Sequence, residues 1–161
     1  MRKLVLISAL FAFLALVSVT LFLWLKSKRN VDMSTPAISW KVLGELDLKT
    51  GIVPDEIEKH KNKFVRVAGF IVPLDDSASQ VSEFLLVPYA QACIHLPPPP
   101  DNQMVFVQMK EPHDHIFQGR AVWVQGQLSA VKASHSYGSA SYSMLGTGLD
   151  FVLEKDLDGL Q

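Results

Sequence analysis

Phe64-Val65-Arg66-Val67-Ala68-Gly69-Phe70-Ile71-Val72 decides the fold of this 161-residue chain. The run is rich in β-branched and aromatic residues, which favour a pleated strand. Gly69 in its middle marks a bulge or tight bend. A long strand that bends can serve both halves of a small closed barrel. Downstream, Glu83 to Val87 is almost wholly apolar, as expected of a strand buried on both faces. Met104 to Met109 reads as a third strand. Arg120 to Leu128 reads as a fourth, with Val122, Val124 and Gly126 in alternation. Ser141 to Leu145 and Leu149 to Leu153 are expected to close the domain, interrupted by a flexible Gly146-Thr147-Gly148. Pro73 to Gln80, Lys110 to Gly119 and Ser129 to Gly138 read as connections. Five or six short strands predict a mainly-β fold, a small barrel, with the oligonucleotide/oligosaccharide-binding type as the specific candidate.

Upstream of the strands the pattern is helical and brief. Trp40, Leu43 and Leu46 recur at three-residue spacing, consistent with one short amphipathic turn. Pro54 to about Lys61 reads as a second helix. Proline suits the first helical position, Asp55, Glu56 and Glu58 suit the positive end of the helix dipole, and Asn62 can close the other end.

The N-terminus is of another kind. Leu4 to Leu25 carries no charge and is long enough to cross a bilayer as a helix. Arg2 and Lys3 precede it, and Lys26, Lys28 and Arg29 follow. The run exceeds a signal-peptide core, and no small-x-small cleavage pattern follows it. The organisation expected is a flank at 1–3, an uncleaved transmembrane signal anchor at 4–25 and a polar juxtamembrane linker at 26–37. A barrel-like domain at 38–155 and a tail at 156–161 complete it. Charge on the two sides of the span nearly cancels, so it does not orient the chain. Beyond residue 35 there are 15 acidic and 10 basic side chains, because Asp32 and five basic residues precede that point. The body is therefore mildly acidic, without the basic stripe a nucleic-acid binder needs.

Chemistry concentrates in Cys93-Ile94-His95-Leu96-Pro97-Pro98-Pro99-Pro100, which holds the chain's one cysteine. Each proline fixes φ and restricts the residue before it, so four in a row make a stiff rod of roughly 9–12 Å. On an extended backbone Cys93 and His95 point to the same side. A thiolate with an imidazole suits zinc, or a soft ion such as cuprous copper. Two donors are not a complete site, and no second cysteine pair or His-Glu-x-x-His is present. His113 and His115 are the first candidates to complete it, then His135, Glu83 and Asp101.

Blander readings stand beside this one. Cys93 can be a small buried hydrophobe and His95 a satisfied loop histidine. Catalysis by the Cys93 thiol needs a base and a group to orient that base, and no oxyanion element surrounds it. Pro97, Pro98, Pro99 and Pro100 also fit the Pro-x-x-Pro form that aromatic grooves recognise, or a rigid strand connector. His113-Asp114-His115 reads as a solvated loop tip. Met104, Met109 and Met144 read as gap-filling core rather than soft-metal ligands. Ser134-His135-Ser136-Tyr137 to Ser143 reads as a serine-rich hairpin rather than a catalytic triad.

Taken in order, Val67 to Leu74, Glu83 to Tyr89, Cys93 to Pro100 and Asn102-Gln103 resemble a bacterial family of exported or membrane-anchored proteins, catalogued as a domain of unknown function. The resemblance covers roughly Trp40 to Phe151, and its Cys-Ile-His-x-Pro-Pro-Pro-Pro core is highly specific. It implies an accessory protein of the kind encoded beside ABC-type transport genes, some in zinc-regulated clusters. It implies a single pass through the bacterial inner membrane, with the C-terminal domain in the periplasm. It makes Cys93 and His95 the best site candidates and carries no catalytic activity. A lone thiol in an oxidising compartment should be buried, ligated or paired with another molecule. The reading expected is a non-enzymatic metal binder, zinc first. A metal-independent adaptor that docks its polyproline loop on a transporter or secreted partner is the second reading, and a Cys-His thiol enzyme the third.

Overall fold

The computed structural model describes residues 13–18, 20, 31–61, 63–74, 80–90, 99–114, 117, 119–135 and 138–153. Two compact units divide the chain, at residues 1–30 and 31–161. In the first, residues 13–18 and 20 are helical. The hydroxyls of Ser18 and Thr20 donate back to the carbonyls of Ala15 and Val17. Most of the expected span Leu4–Leu25 lies outside the described residues. Among those described, no helix is long and apolar enough to cross a membrane.

The second unit is a closed barrel of five strands in the order β1-β2-β3-β7-β4. These are β1 (Phe64–Pro73), β2 (Gln80–Val87), β3 (Val105–Asp114), β4 (Ala121–Ser129) and β7 (Tyr142–Phe151). Strands β5 (Ala133–His135) and β6 (Gly138–Ala140) form a separate hairpin between β4 and β7, the serine-rich hairpin expected from sequence. Pairing is antiparallel except between β3 and β7. This is a five-stranded Greek-key barrel of the oligonucleotide/oligosaccharide-binding type.

The first strand behaves as its glycine requires. Phe64 to Phe70 pairs with β4, and Phe70 to Pro73 pairs with β2. The strand thus changes neighbour beside Gly69, where a Cβ would stand 2.7 Å from the Val87 carbonyl oxygen. Inward side chains from every strand fill the barrel, among them Val65, Val67, Phe84, Leu86, Val105, Val107, Val122, Val124 and Leu149.

Helices α1 (Trp40–Gly44) and α2 (Asp55–Lys59) lie upstream of β1, and Trp40, Leu43 and Ile57 join the barrel core. Ser39 caps α1 by accepting from the Val42 N–H. Pro54 sits at the N-cap of α2 rather than inside its first turn. Asn62, expected to close that helix, is outside the described residues.

Three expectations are corrected. Gly146-Thr147-Gly148 does not interrupt the last strand. β7 is continuous through it, with a register shift against β4 between Gln125 and Gly126. Lys110 to Asp114 is not loop but the second half of β3, pairing with Gln80 and Val81 beyond a register shift. Beyond Met109 this half of β3 has no described pairing with β7, and an edge of that kind is where a strand proline is tolerated.

The third correction concerns the linker. Val31, upstream of Ile38, is already packed and is 3% exposed. The first half of β1 has no β2 neighbour, and residues 36–40 satisfy that edge. The Arg66 N–H donates to the Pro36 carbonyl, the Ile38 N–H to the Arg66 carbonyl, and the Trp40 indole to the Ala68 carbonyl.

Candidate functional site

The Cys-His-Pro stretch connects β2 to β3, and its two roots are well defined. On the β2 side, Pro88 is half-buried while Tyr89 and Ala90 are exposed. Cys93, His95, Pro97 and Pro98 fall in 91–98, outside the described residues. On the β3 side, Pro99 is buried and Pro100 is exposed, with φ −60° and ψ 151°. Those angles are the polyproline values that a proline run favours. One 3-10 turn, Asp101–Gln103, then leads to the buried Met104.

That turn is held from two sides. The Asn102 amide donates to the carbonyls of Gly44 (2.9 Å) and Leu46 (3.0 Å), at the C-terminal end of α1. Those carbonyls lack helical partners, so a side-chain donor satisfies them. On the other side stands the β5–β6 hairpin. The Asp101 carboxylate accepts from the Ser139 hydroxyl and pairs with Lys132 at 3.2 Å. The Asp101 carbonyl accepts from the Ser141 N–H at 2.8 Å. The turn therefore ties α1, the hairpin and the end of the proline run together at one end of the barrel.

The remaining candidates are dispersed. His113 lies on β3 opposite Val81, with Phe117 edge-on at 6.2 Å. It stands at the far end of β3 from the loop's root, roughly 25 Å along an extended strand of this length. It is a strand residue and not part of a loop tip. His115 is outside the described residues. Glu83 sits within β2, accepting from the Gln108 amide at 2.9 Å. His135 ends β5, on the hairpin that Asp101 engages. Met104, Met109 and Met144 are buried in apolar clusters, as gap-filling core requires. Among the described residues no three His, Cys, Asp or Glu side chains gather to hold a metal ion.

A second apolar cluster lies outside the barrel, beside these roots. Leu85 and Val87 alternate with the inward Phe84 and Leu86, yet are 3% and 1% exposed. They pack with Met104 and Ala140, and with the half-buried Phe70, Val72, Leu74 and Phe106. This explains why β2 reads as apolar on both faces. Sequence reasoning named Asp101 as a possible ligand and missed Asn102 as an anchor. The only local signal was a pair of turn-forming polar residues directly after four prolines.

The fold recurs in a known protein. A crystal structure of a DUF3299 family protein from Pseudomonas aeruginosa PAO1 superposes with a TM-score of 0.62 at 26% identity. The match covers 74% of this chain and 97% of that one. No curated protein matches. The model of a family described as "Protein of unknown function (DUF3299)" matches residues 44–150, which span the barrel from the end of α1 almost to the end of β7, and the chain belongs to that family.

Proposed function

We propose that this protein is a membrane-anchored, periplasm-facing accessory protein. It binds a metal ion, zinc first, through Cys93 and His95, and serves transport or metal supply rather than catalysis. The observation that carries the reading is the tether at the loop's β3 root, Pro99 to Gln103, where hydrogen bonds from two separate parts of the domain fix the backbone. A soft thiolate and a borderline imidazole two residues apart match the donor preferences of zinc. Two donors leave coordination positions for water, a partner's side chain or a departing ligand. A structural zinc site, by contrast, is closed by four protein ligands. An open site fits delivery of an ion better than the staking of a fold.

The inner membrane, reached through residues 4–25, and an ABC-type transporter are the partners this reading names. The family resemblance in the Cys-Ile-His-x-Pro-Pro-Pro-Pro core supports both. The test is metal analysis of the full chain in detergent beside Cys93→Ser. Near-stoichiometric zinc is expected in the first and its loss in the second. Equal, negligible zinc in both would sink the reading.

The exposed Pro100 in polyproline geometry favours one alternative, a metal-independent adaptor. Of the two described prolines Pro99 is buried, so Pro100 is the one a groove could meet. Photo-crosslinking from Tyr89 and Pro100 distinguishes the two readings. A single specific adduct that persists in chelator supports the adaptor.

A further inference from the structure

We propose that the loop from Asp47 to Ile52 is a docking site for a second protein, one that offers an apolar pocket rimmed by lysine or arginine side chains. This surface is separate from the Cys-His-Pro stretch, and its role does not depend on a bound metal.

The loop joins α1 to α2 and is closed on itself by hydrogen bonds. The Asp47 N–H donates to the Ile52 carbonyl at 3.2 Å, and the Gly51 N–H to the Asp47 carbonyl at 2.7 Å. The Asp47 carboxylate accepts from the N–H groups of Lys49 at 2.8 Å and Thr50 at 3.2 Å. Gly51, with φ 73°, supplies the left-handed residue that lets so short a loop close. The flanks are fixed too. Leu46 and Ile57 are buried in the barrel core, and Val53 packs against it.

A loop held this firmly by core residues on both sides could turn its own apolar side chains inward. It does the reverse. Leu48 and Ile52 are 53% and 67% exposed, and the Asp47–Ile52 bond draws together the two ends of the loop that carry them. A single exposed leucine is ordinary, whereas a pair displayed on a rigid scaffold forgoes burial that a partner can supply. The rigidity lowers the ordering cost of that binding. Charge selects the partner. From Glu45 to Glu56 four exposed carboxylates, Glu45, Asp47, Asp55 and Glu56, surround one ammonium, Lys49. An anionic lipid surface repels such a segment, and a basic rim around an apolar pocket complements it.

The test uses the full chain in phosphatidylcholine nanodiscs and two labelled amphipathic peptides. Both carry a leucine stripe, edged by arginine in one and by glutamate in the other. The arginine-edged peptide should bind at least about tenfold more tightly. Leu48→Ser combined with Ile52→Ser should weaken it by about tenfold, and both replace exposed side chains, so the fold is kept. Asp55→Asn combined with Glu56→Gln should weaken it by about fivefold, and high salt should act in the same direction. Leu145→Ser, which removes an exposed leucine on β7, should leave binding unchanged.

Equal binding of the two peptides, no binding of either, or an equal loss in Leu145→Ser overturns the proposal. Self-association of the wild-type chain that the paired serine variant abolishes also overturns it, since a second copy is then the occupant. Slower amide exchange across residues 47–52 when phosphatidylglycerol is added to the discs overturns it in favour of lipid.

Discussion

The Tyr142 hydroxyl donates to the Leu43 carbonyl at 2.9 Å, joining the first residue of β7 to a helix 99 positions earlier. Both side chains are fully buried. The bond closes the barrel's end with α1 and sets the platform on which Asn102 rests.

Tyr142→Phe should destabilise the domain by about 1 kcal/mol, at the modest end for a buried hydrogen bond. The reason is that the Leu43 carbonyl keeps a backbone donor, the Leu46 N–H at 3.3 Å. The substitution should also change the alkaline limit. Burial, helped by the charge of Glu45, pushes the Tyr142 hydroxyl up to about 12 from its ordinary 10.0. The folded state keeps this proton where the unfolded chain has released it. Its contribution is therefore complete below pH 10 and is lost as pH rises toward about 12. Urea midpoints measured across that window should fall more steeply for wild type than for Tyr142→Phe. Parallel curves would refute the assignment.

Two strand glycines should differ in their tolerance of alanine. At Gly146 a Cβ would run into the Met109 sulfur, the flexible end of a side chain that can move aside. At Gly126 it would meet the Leu145 carbonyl oxygen, which is backbone at the register shift between β4 and β7. Gly146→Ala is therefore expected to lose about 1 kcal/mol and Gly126→Ala about 3 kcal/mol, the span usual for overpacking. Chemical denaturation of both variants checks the order. A larger loss at Gly146 would contradict it.

The contrast between these glycines also marks what could be read from sequence. Gly69 was legible because it interrupts a long run of strand formers, and a bend there is the economical explanation. Gly146 and Gly148 bracket a threonine, and that spacing looks like a flexible link. Only the facing Gly126 and Met109, distant in sequence, make it a tightly packed strand. Pro112 and Asp114 likewise carry turn chemistry, and only the position where β7 stops pairing permits a strand. At the candidate site, Cys93 and His95 stand out in the sequence by residue type and spacing alone. The anchoring of Asp101 and Asn102 was not legible, because Ser139, Ser141, Gly44 and Leu46 are fixed by topology rather than by local pattern.

The outer face of the barrel should be energetically uneven. Leu85 points outward yet is buried against Met104 and its neighbours, whereas Leu145, also outward, is 39% exposed. Leu85→Ala should destabilise by about 2–4 kcal/mol, as for a core leucine. Leu145→Ala should stay within about 0.5 kcal/mol of wild type. Thermal or urea unfolding separates these values easily. Near-equal losses would mean that the cluster beside the loop root is not packed as described.

The last prediction concerns the segment before β1. Arg66 stacks over the Trp123 ring at 4.2 Å, and its Nε donates to the Thr35 carbonyl at 2.9 Å. Trp123 is 5% exposed and packs with Val31 and Ala68. Its indole N–H has no hydrogen-bond partner among the described residues. Trp123→Phe thus removes a buried unpaired donor together with some packing, two changes of opposite sign. Its net loss should be only about 1 kcal/mol, well under that of an ordinary large-to-small change in a core. Arg66→Ala should lose about 1–3 kcal/mol, from the cation–π contact and the bond to Thr35. Arg66→Lys should recover little of it, since an ammonium lacks the planar face that stacks. Because Arg66 and Trp123 touch, the double variant should lose less than the two single losses added, by about 0.5–1 kcal/mol. Strict additivity in that cycle would mean that the stacking of Arg66 on Trp123 contributes nothing of its own.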